Sequence, residues 1–244
     1  MDYKGIYYPD GENFLVINQL KDNPDDIDLF IDFYHQVYYW KNNRLVENDI
    51  IELLNMNWDY EFSDKDCTFI LAWKSGGINH QKSDVEIKCC KGWDLNLLEG
   101  KLCRESVRFF GVSDIINDFR KKIAKEKDEK EVLLDVYSDT LKKLGGLKMH
   151  IGPTFATALM YVASKGAIPI YDQFVGRALD YITDYKLNMK DYVLTNDRNN
   201  GYSVFYSYII DIFKKQYDNR ESEMKRWRAV DQALWAYGHI YCMR

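Results

Sequence analysis

The chain contains little proline and no long apolar run. Four prolines are spread over 244 residues, and long stretches without glycine or proline favour helices over a β fold with many turns. No apolar run approaches the roughly 18 to 20 residues that a membrane-spanning helix needs. The N-terminus, MDYKGIYYPDG, has no basic region followed by an apolar one, as a secretory signal would. We therefore expect a helical, cytoplasmic protein that does not associate with a membrane.

The cysteines do not have the spacing of a metal site or of a disulfide framework. They number five and lie at Cys67, Cys89, Cys90, Cys103 and Cys242, without a repeated C-x-x-C spacing. An odd number without such spacing argues against a disulfide framework and against a metal site built from cysteine. We expect reduced thiols, no metal and no cofactor.

The chain also lacks an overall positive charge. Its net charge is −5, which counts against a general nucleic-acid binder. The charge is unevenly distributed, because residues 1–66 hold 5 basic and 15 acidic side chains, and everything after them sums to +5. A polyanion would therefore meet the C-terminal two thirds of the chain first.

Apolar residues recur at helical spacing over most of the sequence, which predicts a mostly α protein of about ten helices. A short extended or β segment is expected near the N-terminus, where turn signals surround short apolar runs. One predicted stripe joins Leu29, Phe33, Val37 and Trp40. We expect a helical region of uncertain role over 1–110 and a second helical lobe over 111–244, or one compact unit.

Residues 150–175, HIGPTFATALMYVASKGAIPIYDQFV, hold the most specific pattern. Proline is favoured in the first turn of a helix, so Pro153 predicts a helix start, and Gly152 before it would allow a tight approach. The preceding helix ends near Gly145-Gly146, only a few residues earlier. A turn this short leaves backbone N–H groups at the positive end of the second helix, an arrangement suited to binding phosphate.

This segment resembles the hairpin and the following helix of the helix-hairpin-helix DNA glycosylases, the superfamily of endonuclease III, MutY and the 8-oxoguanine glycosylases. Its members share an apolar-Gly turn, a small residue in the next helix, an apolar-Pro-apolar step and an Asp that opens the following helix. The matching positions here are Ile151-Gly152, Ala156, Leu159 to Ala163, Ile168-Pro169-Ile170 and Asp172.

The resemblance implies a two-lobed helical fold and excision of a damaged or mispaired base from double-stranded DNA. It implies that Asp172 is the catalytic carboxylate and that the turn Lys148–Thr154, with His150, Ile151 and Gly152, binds the DNA backbone. Members that cut the strand carry a lysine where this chain has Thr154, so a hydrolytic enzyme without lyase activity is implied, unless Lys148 substitutes. The turn has His150 in place of a second glycine, and the four-cysteine iron-sulfur motif is missing.

The proposed chemistry requires a carboxylate at such a position. Breaking an N-glycosidic bond develops positive charge on the sugar, which an ionised Asp172 would stabilise while it orients water. Aspartate is also among the best N-cap residues, so Asp172 could simply cap the next helix, and the two roles are compatible. Lys148 and Arg177 are candidate phosphate contacts or ordinary surface charges. The basic helix MKRWRAVDQALWAYGH could touch DNA, but Trp227, Leu234 and Trp235 favour the core.

Two other functions remain open from the sequence. The chain could be a DNA-binding module that keeps the hairpin without the chemistry, which the acidic balance, His150 and the missing lysine favour. It could instead be a helical protein-interaction module, which the acidic N-terminal region favours.

Overall fold

The computed structural model describes most of the chain, in twelve stretches. They are residues 5–7, 14–16, 24–39, 44–74, 78–81, 84–87, 97–98, 101–102, 111–126, 129–147, 151–182 and 201–240.

Ten helices account for most of these residues, which confirms the predicted mostly α class. They are α1 (Pro24–Tyr39), α2 (Arg44–Asn55), α3 (Asp64–Lys74), α4 (Val112–Glu126), α5 (Lys130–Gly145), α6 (Pro153–Ala163), α7 (Gln173–Ile182), α8 (Tyr202–Ile212), α9 (Lys214–Asp218) and α10 (Met224–Ile240). The sequence predicts one helix over 202–217, and the structure divides it at Phe213, whose backbone (φ −108°, ψ 35°) leaves the helical region.

Among the described residues, six short strands form three separate antiparallel pairs. They are β1 (Gly5–Tyr7) with β2 (Phe14–Val16), β3 (Ile78–Gln81) with β4 (Asp84–Ile87), and β5 (Leu97–Leu98) with β6 (Lys101–Leu102).

The chain divides into two compact units. One, the discontinuous unit, combines Met1–Asn42 with Tyr171–Arg244, and the other, the inserted unit, is Asn43–Ile170. The division expected between residues 110 and 111 falls inside the inserted unit, just before α4 begins. The chain passes from one unit to the other twice, between Asn42 and Asn43 and between Ile170 and Tyr171.

In the discontinuous unit, α10 packs against both α1 and α7. Aromatic rings fill the first contact: the Phe30 and Tyr237 rings lie 5.6 Å apart, and the Tyr34 and Tyr237 rings 5.1 Å apart. The predicted stripe of α1 was wrong at Leu29, which is 50% exposed. The helix is apolar on more than one face, and the face that meets α10 is the one that carries the aromatic rings.

The inserted unit is built around α6, which packs against α2, α3, α4 and α5. Every residue of α6 from Ala156 to Ala163 is buried. A helix that is apolar all round belongs inside a protein, and the small alanines let neighbouring helices come close. The core of this unit is therefore the same segment in which the sequence signal is most specific.

Arg120 of α4 joins three parts of the inserted unit. Its side chain is 1% exposed and donates to the carbonyl oxygens of Met56, Asn57 and Trp58, which follow α2, and to the carbonyl oxygen of Ala163 at the end of α6. Burial lowers the pKa of Arg120 to about 10. Burial removes water from the guanidinium, and the four carbonyl oxygens replace the hydrogen bonds that water would make.

Candidate functional site

The turn between α5 and α6 is closed by backbone hydrogen bonds. Gly146 donates to Lys142 O (2.9 Å), and Ile151 donates to Leu144 O (3.2 Å). The Ile151 side chain is 1% exposed. Ile151 therefore anchors the turn, with its N–H engaged inside the chain and its side chain in the core.

Gly152 and Pro153 begin α6 as the sequence predicts. Gly152 is the N-cap, and its carbonyl oxygen accepts from Phe155 N (3.1 Å) and Ala156 N (3.0 Å). Among the described residues, the N–H groups of Gly152 and Thr154 have no acceptor. Two backbone donors are thus left at the positive end of α6, which is the arrangement that binds anions.

The expected steric need for glycine at position 152 is not found. Its backbone (φ −67°, ψ 162°) is the extended conformation that any residue adopts before proline. A Cβ added there would meet nothing within 4 Å. Fold alone does not require this glycine, whereas close contact of its backbone with a ligand would. Lys148 and His150, the other predicted contacts of the turn, lie outside the described residues.

Asp172 is the N-cap of α7. Its Oδ1 atom accepts from Phe174 N and Val175 N, both at 2.9 Å, and its carbonyl oxygen accepts from Gly176 N at 2.9 Å. The residue is only 5% exposed. The capping role considered from the sequence is therefore present, and it holds the carboxylate in one orientation.

Tyr171, the residue before Asp172, packs against an aromatic ring and against α7 of its own unit. The Tyr171 ring lies edge-on to Phe205 at 5.0 Å, and its hydroxyl lies under Gly176, where an added Cβ would be 3.1 Å away. Burial, with the charges of Asp172 and Asp180, raises the pKa of Tyr171 to about 12. Tyr171 is therefore a neutral hydrogen-bonding group at physiological pH.

Arg177, the remaining predicted phosphate contact, also lies on α7. It is partly exposed, and its guanidinium carbon lies 5.9 Å from the centre of the Phe174 ring. The structure thus places Asp172 and Arg177 on one helix of the discontinuous unit. It places Ile151, Gly152 and Thr154 in the inserted unit.

The arginines of the basic helix α10 are used inside the discontinuous unit. Arg226 bridges Asp28 and Asp32 of α1, and Arg228, 2% exposed, pairs with Asp231 and reaches the Tyr38 hydroxyl at 3.3 Å. Trp227 and Leu234 are buried, as expected, whereas Trp235 is partly exposed. This helix is therefore a core element.

Sequence reasoning missed an aromatic cluster between the start of α7 and α10. Trp235 and His239 stack with ring centres 4.8 Å apart and an interplanar angle of 7°, and both rings contact the edge of Phe174. The spacing of Trp235 and His239, four residues apart on a helix, could have indicated their contact. Their packing against Phe174 depends on how α7 meets α10, which no local pattern records.

Two further observations limit what the described residues can do. Within them, no three His, Cys, Asp or Glu side chains gather as metal ligands would. Nor does the described part of the chain include a helix with the length and apolar character to cross a membrane.

Comparison of the chain with protein-family models, with curated proteins and with solved structures found no match.

Proposed function

We propose that this protein is a helix-hairpin-helix DNA glycosylase-like enzyme, with the two-lobed helical fold of that superfamily. It removes a modified or mispaired base from double-stranded DNA by hydrolysis. The observation that carries the proposal is the state of Asp172: a 5% exposed carboxylate, in the register that the resemblance requires, held by two backbone N–H groups.

In this proposal the bond between the sugar carbon C1′ and the base nitrogen breaks, and the base leaves with the electron pair. Positive charge develops on the sugar, and the carboxylate of Asp172 stabilises it. A water molecule that Asp172 orients then bonds to C1′, and its proton passes by way of the Asp172 carboxylate to the base that has left. The N-cap hydrogen bonds support this role because a catalytic group must be held in its productive orientation.

The α5–α6 turn supplies contacts to the DNA backbone. Its two backbone donors, Gly152 N–H and Thr154 N–H, have no acceptor among the described residues, and they lie at a helix N-terminus. Thr154 supports hydrolysis over strand cleavage, since its hydroxyl cannot form the imine that an amine would form with the sugar. Arg177, and outside the described residues Lys148 and His150, are the proposed side-chain contacts.

The substitution Asp172→Asn tests the catalytic role without removing the cap. Asparagine caps helices as well as aspartate, so α7 should form and the melting temperature should change little. Release of the base should fall about 100-fold or more, because the negative charge is lost. Release is measured on duplexes that carry different damaged or mispaired bases, as abasic sites that break on treatment with alkali.

The matched control is Asp114→Asn, which removes the same charge from an exposed position in the first turn of α4. It should leave base release unchanged. Wild-type protein should cut the strand only after alkali, because hydrolysis leaves the abasic site intact. Undiminished base release by the Asp172→Asn variant would refute the catalytic assignment.

A non-catalytic DNA-binding protein is the second candidate, and the N-cap geometry favours it. Two hydrogen bonds to α7 are enough to explain why an aspartate occupies position 172. Under this alternative, wild-type protein releases no base from any duplex but binds DNA with an affinity that falls as salt rises. The Asp172→Asn variant would then bind DNA as tightly as wild type.

A further inference from the structure

Arg220, in the turn between α9 and α10, is a buried cation with few partners. It is 7% exposed, and its Nη1 donates to Tyr217 O at 3.1 Å. Its guanidinium carbon lies 4.3 Å from the centre of the Tyr217 ring. Its Nε atom is buried without an acceptor, and among the described residues no carboxylate lies within ion-pair distance.

Three other arginines of the described chain show how burial is normally compensated. Arg120 donates to four carbonyl oxygens, Arg226 bridges two aspartates of α1, and Arg228 pairs with an aspartate of its own helix. Arg220 has one carbonyl and one ring face. Removing a guanidinium from water costs far more than one neutral hydrogen bond and one cation–π contact return.

Nearby groups do not supply the missing negative charge. The hydroxyl groups of Tyr206 and Tyr217 are hydrogen-bonded to each other at 2.7 Å. Burial raises the pKa of Tyr206, so this tyrosine remains neutral. The turn also precedes α10, and a helix N-terminus carries partial positive charge. The neutral Tyr206 and the positive end of α10 both leave the guanidinium charge uncompensated.

The arrangement of the two Arg220 donors that lack an acceptor indicates which kind of anion would bind. Nη1 is occupied by Tyr217 O, and Nη2, like Nε, has no acceptor among the described residues. The Nε–H and Nη2–H groups form the edge of a guanidinium whose two parallel donors match two oxygens of a phosphate. Lysine cannot reproduce this fork.

We propose that Arg220 binds a phosphate group through its Nε–Nη2 edge. The phosphate is either a backbone phosphate of DNA or free inorganic phosphate. Assigning it to DNA rests on the proposed function, whereas phosphate binding at Arg220 does not. Because Nε is buried and the whole residue is 7% exposed, the turn between α9 and α10 must move for a phosphate to reach this edge.

The first experiment uses inorganic phosphate as the probe. Thermal melting of the full chain is followed in rising phosphate and in sodium chloride of the same ionic strength. Phosphate should raise the melting temperature of wild type but not of Arg220→Gln, and Arg220→Lys should respond only weakly. Lys225→Gln removes the same charge from an exposed residue at the start of α10 and should respond like wild type.

The second experiment measures binding of an undamaged DNA duplex by fluorescence anisotropy at several salt concentrations. Arg220→Gln should weaken binding about tenfold and reduce the slope of log affinity against log salt by about 1. A response to inorganic phosphate without this change would identify free phosphate as the ligand. Neither readout depends on base release, so loss of the proposed catalysis and loss of this site are distinguishable.

A third variant, Arg220→Met, tests through protein stability whether the buried charge of Arg220 lacks a partner. Without phosphate it should melt at or above the wild-type temperature, because the charge it removes has no partner. A large fall in melting temperature, or failure to fold, would show that the chain itself compensates Arg220. Equal responses of wild type and Arg220→Gln in both the phosphate and the DNA experiments would likewise overturn the site.

Discussion

Gly238 lies where the backbone of α10 comes close to the backbone of α7. An added Cβ would lie 2.7 Å from the carbonyl carbon of Phe174 and closer still to its oxygen. A backbone atom cannot rotate away as a side chain can, so the two helices would have to separate. One of these two helices, α7, is the helix that Asp172 caps.

We expect Gly238→Ala to lower the free energy of unfolding by about 2–3 kcal/mol, the usual cost of overpacking. Alanine normally stabilises a helix relative to glycine by about 1 kcal/mol, so the sign of the effect reports the backbone overlap. Urea unfolding measures it. A stabilised Gly238→Ala variant would mean that α7 and α10 pack less closely than the structure shows.

Gly152→Ala, at the N-cap of α6, is the matched control for Gly238→Ala. A Cβ at this position meets nothing within 4 Å and the backbone angles suit alanine, so the loss should stay below about 1 kcal/mol. If the turn binds DNA as proposed, the same variant should weaken DNA binding, because the Cβ would stand between the backbone N–H groups and a phosphate.

At the scale of elements, Arg120 holds the end of α6 in place. Its donors satisfy one carbonyl oxygen at the end of that helix and three in the segment after α2. The Trp58 and Phe62 rings lie against the guanidinium, 5.0 Å and 5.3 Å from its carbon. One side chain of α4 thus joins elements that are distant in sequence.

We expect Arg120→Met to destabilise the protein by at least about 3 kcal/mol, because several buried carbonyl oxygens lose their donors at once. Arg120→Lys should lose almost as much, since one ammonium group cannot reach all four oxygens. Urea unfolding of both variants checks this. A loss below about 1 kcal/mol in Arg120→Met would show that water replaces the guanidinium.

At the scale of the whole molecule, acid stability depends on ion pairs that α1 makes with α9 and α10. Asp28 accepts from Arg226 at 2.5 Å and pairs with Lys215 at 3.3 Å. Burial by itself raises the pKa of Asp28, but the hydrogen bonds from Arg226 and Lys215 outweigh it and hold the pKa below its usual value. The folded state therefore binds a proton at this group less readily than the unfolded state does.

The stability that Asp28 contributes is present above the unfolded pKa, near 4, and is lost as the pH falls through the lower folded value. Asp28→Asn should therefore be less stable than wild type at pH 7, by less than about 1 kcal/mol because the pair is partly exposed. This difference should shrink below about pH 4. Melting temperatures at pH 7, 4 and 3 measure it, and a constant difference would contradict the assignment.

Features with a local cause could be read from the sequence. The mostly α class follows from helical periodicity and scarce proline, and Pro153 marks the start of α6 because proline suits a first turn. Asp172 was recognised as a possible cap because capping depends on the residues that follow it. The candidate site was therefore predictable as a turn and a carboxylate, but its function stays a proposal.

Features that depend on packing could not be read in this way. Leu29 lies on the predicted apolar stripe of α1 and yet is exposed, since the face of α1 that becomes buried is the one that meets the rings of α10. The division of the chain at residues 170 and 171 has no signal in composition. Arg220 gives no signal in the sequence, because an arginine that lacks partners is identical in sequence to one that has them.

The sequence by itself determined where helices begin and which groups stand at their ends, because turns, caps and periodicity act over a few residues. Only the tertiary structure decided which faces are buried, which arginines have partners and how closely Gly238 meets Phe174. Those properties depend on atoms brought together from distant parts of the chain, and they decide whether a charge such as that of Arg220 is satisfied internally or left to bind a ligand.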